Sequence, residues 1–252
     1  MPGFVSHMVM ANDVYKRINN NNVSLKYMRT FSLGGDLCKY AKCRYDSHHI
    51  DQDKFIYYLA DYIKKNNLVN DKEIMGVLYG HICHYVMDDI VHPLVRKMAK
   101  VCIKDKNNHT LIEEYYDSYL VNLRYGVIKR EYFKNNKLDG RVNRKINKML
   151  DNVYLTVYNT GRVGRYYKFN LILYRLLRYG YLIVNKRLMN KIIGIDKFLD
   201  NNKDIDLYNN NYLINYRDYL GYSCHDSLID LYNVSIDVSV EYINSINKYL
   251  DI

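Results

Sequence analysis

His84, Asp88 and His92 stand four and four residues apart in the run GHICHYVMDDIVHP, and His109 and Glu113 repeat the four-residue step shortly afterwards. On a helix, residues four apart share a face, so each set projects its imidazoles and carboxylates together. Imidazole nitrogens and carboxylate oxygens converging from two helices are a ligand set that zinc favours. The competing reading is that these histidines satisfy one another and nearby carbonyls inside a core. Seven of the eight histidines fall in the first 109 residues: His7, His48, His49, His81, His84, His92 and His109. The segment around His84 is apolar almost all round, so its helix has to be packed on nearly every side. Several ionisable groups buried together there cost several kcal/mol each unless paired or bound to metal, which favours metal. His81, one turn before His84, is either a donor behind the ligands or a packed core histidine. Asp89 and Asp117 are either carboxylates that orient ligating imidazoles or surface and capping charges. His225, remote in sequence, reads as structural or surface.

Helices must position these groups. Asp46 or Ser47 can cap a helix whose apolar positions Phe55, Tyr58, Leu59 and Tyr62 recur at three and four. Asn70 or Asp71 can cap the next, through Ile74, Val77, Leu78, Ile82 and Tyr85. It is expected to end before Pro93, because the residue preceding proline avoids the helical region. Further helices are expected over 109–125, 129–134, 141–158, 166–180, 185–199 and 226–250. Residues 200–225 read as a long irregular excursion, and the Asn runs 19–22, 201–202 and 209–211 as loops. Strand signals are weak and no repeat or linker appears. The fold class is therefore all-α, with one multi-helix domain over 1–252.

The 252 residues are 48% hydrophobic and 25% charged, enough for a sizeable core. Only two prolines rule out a collagen-like or Pro-rich chain. No window approaches 18 consecutive apolar residues, and the start MPGFVSHMVMANDVYKRI lacks a secretory signal, so neither a membrane span nor classical export is expected. The five cysteines, Cys38, Cys43, Cys83, Cys102 and Cys224, are odd in number and lack the second close pair of a zinc ribbon. Free thiols in a reducing, cytoplasmic compartment are expected. Net charge is +10, with Lys and Arg scattered rather than clustered, which reads as a solvated basic surface. Nucleic acid, an anionic membrane surface and phosphorylated substrates are the partners such a charge admits.

The strings MPGFVSH, FSLGGD, GHICHYVMDDIVHP, HTLIEEYYDSYL and SLIDLYNVSIDVSVEYI resemble successive motifs of the zinc-dependent phospholipase C family, in particular its intracellular bacterial branch. The HYxxDxxxHP and HxxxExxxD segments are the most specific. The resemblance implies an all-helical domain holding two or three zinc ions, a fold shared with single-strand-specific zinc nucleases. It implies one zinc on Asp36, His48 or His49, His84 and Asp88, and a second on His92, His109 and Glu113. It implies a third on His7, a bridging Asp88 and the N-terminal amine, which Pro2 would supply once Met1 is removed. Gly35 stands where the family often has proline before the aspartate. The implied activity is hydrolysis of a phospholipid phosphodiester by activated water, with Asp36 as general base, a phosphorylated headgroup released and transient membrane contact. A nuclease or nucleotidase on the same site is the alternative, which abundant tyrosines for base stacking would suit. A non-catalytic protein stabilised by zinc is the third.

Overall fold

Asp71 opens the longest helix of the protein by accepting hydrogen bonds from the backbone N–H groups of Glu73 (3.1 Å) and Ile74 (3.2 Å). The computed structural model describes residues 3–38, 51–102, 108–184 and 194–252. In chain order, its helices are α1 (Phe4–Ile18), α2 (Leu25–Phe31), α3 (Gln52–Lys65), α4 (Lys72–Val101) and α5 (Asn108–Tyr125). They continue with α6 (Lys129–Asn135), α7 (Arg144–Tyr158), α8 (Gly164–Ile183), α9 (Ile195–Asn201) and α10 (Leu228–Leu250). A 3-10 turn over Gly34–Cys38 follows α2, and a two-strand ribbon pairs β1 (Tyr216–Arg217) with β2 (Ser223–Cys224) antiparallel. The described residues are thus mostly helical, as an all-α reading requires.

Apolar spacing dictates which faces close. α3 buries Phe55, Ile56, Leu59, Ala60 and Ile63, and α7 buries Ile146, Met149, Leu150, Val153 and Tyr154. Both follow the three-and-four rhythm of a helix packed on one side. α10 begins with a capping box in which Ser227 and Asp230 satisfy each other's backbone N–H groups. α4 lies at the centre, against α1, α2, α3, α5 and α10, and is buried along most of its length. Gly76 and Gly80 let α2 approach it: a Cβ at either would stand 2.7 Å from a backbone oxygen of Ser24 or Met28.

Three expectations change. α4 does not stop before Pro93 but runs eight residues past it, to Val101. The proline costs about 3 kcal/mol in a helix interior, but Leu94, Val95 and Met98 of the continuation are fully buried. At about 1.5–3 kcal/mol for each such side chain, packing outweighs local preference. α1 and α2 precede the first helix expected from sequence, and both pack onto α4. Residues 202–227 are irregular as expected except for the β1–β2 ribbon, and of 185–199 only Ile195 onward falls on a described helix. Cys83, Cys102 and Cys224 are free thiols, while Cys43 lies outside the described residues. No helix among the described residues is long and apolar enough to cross a membrane.

Candidate metal centre

α1 carries His7 to the middle of the protein, and its first turn is held by a carboxylate from another helix. Asp117 of α5 accepts from the Ser6 N–H (2.7 Å), the Ser6 hydroxyl (2.6 Å) and the Val5 N–H (3.3 Å). Three donors at one helix start are satisfied by one negative charge, where the helix dipole favours it. Burial pushes the Asp117 carboxyl up to about 6. Of its two expected roles Asp117 takes the capping one: it orients the helix that bears His7 rather than an imidazole.

His7 is fully buried, and neither ring nitrogen has a hydrogen-bond partner among the described residues. Its Nε2 lies 3.3 Å from Asp88 Oδ1, and its ring stands 4.6 Å from that of His84, centroid to centroid. His84 Nδ1 lies 3.1 Å from the Ser32 carbonyl. A carbonyl only accepts, so Nδ1 carries the proton and a neutral ring offers its lone pair at Nε2. That lone pair faces another acceptor, Asp88 Oδ2, at 3.5 Å. Asp36, on the buried 3-10 turn, completes the set: one ligand atom each from His7, Asp36 and His84 lies within 4.8 Å of the others. The close approach of that turn depends on Gly34, whose φ is +38° and where a Cβ would meet His84 Cδ2 at 2.2 Å.

About two turns along α4 from His84, His92, His109 and Glu113 form a second set within the same 4.8 Å span. His92 Nε2 and His109 Nε2 are 3.2 Å apart, and His109 Nε2 is 2.9 Å from Glu113 Oε1. Burial drives the His92 imidazole down to about 2, so the ring stays in the neutral form that binds metal. Four residues of helix rise separate Asp88 from His92, about 6 Å along the axis. Acceptors facing acceptors, a buried imidazole without hydrogen bonds and two convergent N/O sets all suit divalent cations. The residues present could therefore hold a divalent metal ion.

His81 belongs to the core. Its Nδ1 bonds the Val77 carbonyl (2.8 Å), its Nε2 the Tyr167 hydroxyl (2.8 Å), and burial lowers its pKa to about 4. Asp89 is exposed on the rim of a neighbouring cleft and His225 is exposed elsewhere. Pro2, His48 and His49 lie outside the described residues.

Sequence reasoning missed Tyr219, which the β1–β2 connection places with its hydroxyl 3.4 Å from His92 Nδ1 and its ring 5.5 Å from the Arg96 guanidinium. Only its place in a Tyr-rich stretch hinted at a role. Beside it opens a cleft of about 1030 Å³ walled by Asp51, Asp53, Asp89, Asp218 and Asp226 against Lys54 and Arg96. An adjoining cleft of about 600 Å³ has the opposite character, with Arg96, Lys97, Lys100 and Arg217. Comparison of the chain with protein-family models, curated proteins and solved structures finds no match.

Proposed function

We propose that this chain is a zinc-dependent phosphodiesterase of the phospholipase C type. The observation that carries the reading is the pair of N/O groups whose α4 members, His84 and His92, stand about two helical turns apart, with Asp88 between His7 and His84. Zinc bound there would polarise a phosphoryl oxygen and lower the pKa of a water towards about 7. The protein's own groups supply the rest. Asp36, buried beside His7 and His84, is positioned to take a proton from the attacking water. Ser32 fixes the His84 tautomer, and the Tyr219 hydroxyl stands 3.4 Å from His92 Nδ1, at the edge away from His109.

The larger cleft favours a phospholipid headgroup over a nucleic acid strand. Five carboxylates around two tyrosines, Tyr216 and Tyr219, suit a substituted ammonium, through charge and the ring faces. The same carboxylates repel the successive phosphates of a polynucleotide. The basic cleft alongside supports the nuclease alternative, so both substrates belong in the test. Elemental analysis of the purified protein is expected to give two or three zinc ions per chain, and none would reject a hydrolase of either kind. Release of phosphorylated headgroup from short-chain phosphatidylcholine is expected. Salt-sensitive cleavage of single-stranded DNA without lipid turnover would replace this reading with the nuclease.

A further inference from the structure

The connection that brings Tyr219 to His92 leaves its neighbouring apolar side chains in solvent. Leu220 is 82% exposed and Tyr222 68%. This exposure is held in place by a rigid frame. The Gly221 N–H bonds the Asp218 carbonyl (3.2 Å), the Asp218 N–H the Tyr222 carbonyl (3.1 Å), and the Tyr222 N–H the Asp218 side chain (2.8 Å). At the base, the fully buried Asn209 side chain accepts from the Ile214 N–H (2.8 Å) and donates to the carbonyls of Ile214, His225 and Asp226. Four exposed cations, Arg96, Lys97, Lys100 and Arg217, line the cleft on the flank of this tip.

We propose that the tip docks the protein on an anionic phospholipid surface, with Leu220 and Tyr222 entering the interfacial layer and the four cations meeting headgroups. The proposal rests on the phospholipase reading for what happens after docking, but the docking itself needs no turnover. Leucine and tyrosine beside a cluster of lysine and arginine are the composition that partitions into a negatively charged bilayer interface. Each cation near such a surface is worth about fivefold in affinity. Two side chains on one tight turn present far less than the ~800 Å² per partner of a stable protein interface. Insertion of Leu220, which also lines the acidic cleft, would turn that cleft's mouth towards the headgroups.

Cosedimentation of the purified protein with phosphatidylcholine vesicles, with and without a third of phosphatidylserine, tests this, with headgroup release measured in the same tubes. The expected result is preferential binding to the phosphatidylserine vesicles that weakens with salt. Leu220→Asp with Tyr222→Asp is expected to lower binding at least tenfold. Lys97→Gln with Lys100→Gln is expected to lower it about 25-fold on anionic vesicles only. All four positions are exposed, and circular dichroism melting checks that each variant folds. Failure of the wild type to bind anionic vesicles, or equal binding by the Leu220/Tyr222 variant, would overturn the proposal, as would conversion of a dimer to a monomer or selective loss of DNA binding in that variant. Vesicle binding without headgroup release would leave docking standing and remove the phospholipase reading.

Discussion

Replacing Asp88 by asparagine separates a metal centre from a buried ion pair. The two Asp88 oxygens lie 3.3 Å from His7 Nε2 and 3.5 Å from His84 Nε2. Because His84 Nδ1 is committed as a donor to Ser32, its Nε2 faces the carboxylate favourably only when the ring is protonated or a cation lies between them. In an ion pair, Asp88→Asn would strand a buried imidazolium and cost about 3–5 kcal/mol whether or not zinc is present. In a metal centre, the loss appears only with zinc. Free zinc at a thousand times Kd stabilises the wild type by about 4 kcal/mol per site, or about 8–16 °C at the 2–4 °C per kcal/mol of a chain this size. The asparagine amide can donate to His84 Nε2, so the metal-free variant should stay within about 1.5 kcal/mol of the metal-free wild type. The assay is thermal unfolding in chelator and in zinc, with zinc content measured on the same samples. A wild-type midpoint unmoved by zinc, or a loss of 3 kcal/mol or more in chelator by the variant, would refute the reasoning.

Gly34→Ala places a methyl 2.2 Å from His84 Cδ2 at a φ of +38°. Urea unfolding is expected to show a loss of about 2–4 kcal/mol from backbone strain and overpacking together, with reduced zinc content. Asp117→Ala removes the acceptor for three donors at the start of α1 and should cost about 2–3 kcal/mol in urea unfolding, with weaker zinc retention as His7 loosens. Asp117→Asn, which keeps an acceptor, should recover part of both. His81 binds its proton near pH 6.5 when unfolded but only near 4 when folded. Stability should therefore fall by about 1.4 kcal/mol per unit as pH drops from 6.5 to 4, roughly 3 kcal/mol in all. Urea unfolding at pH 7, 5 and 4 should show that limb flattened in His81→Gln.

What could be read from the sequence was local. The register of His84, Asp88 and His92, the Asp71 cap and the long helices from α3 onward follow from spacing within a few residues. His7 and Asp36 entered only through a resemblance, because the contacts that bring them to α4 span 48 to 81 residues of chain. α1 escaped notice because its cap is not a neighbouring side chain: Gly3 has none to offer, and the carboxylate that serves comes from Asp117. The Asn209–Asn211 run read as a loop, yet Asn209 is fully buried and makes four hydrogen bonds that set the β1–β2 ribbon. Pro93 misled for a related reason, since burial further along α4 outweighs a rule that concerns one peptide unit.

α4 contributes His84, Asp88 and His92 from one continuous helix, so the separation and angular alignment of both ligand sets are written into the pitch of a single rod. A point change there alters one ligand. An inserted or deleted residue between Asp88 and His92 would instead swing everything downstream by about 100° around the axis, carrying His92 away from His109 while Arg96 leaves the ring of Tyr219. This stretch of chain is therefore a reading frame for the centre, tolerant of altered letters and intolerant of altered length.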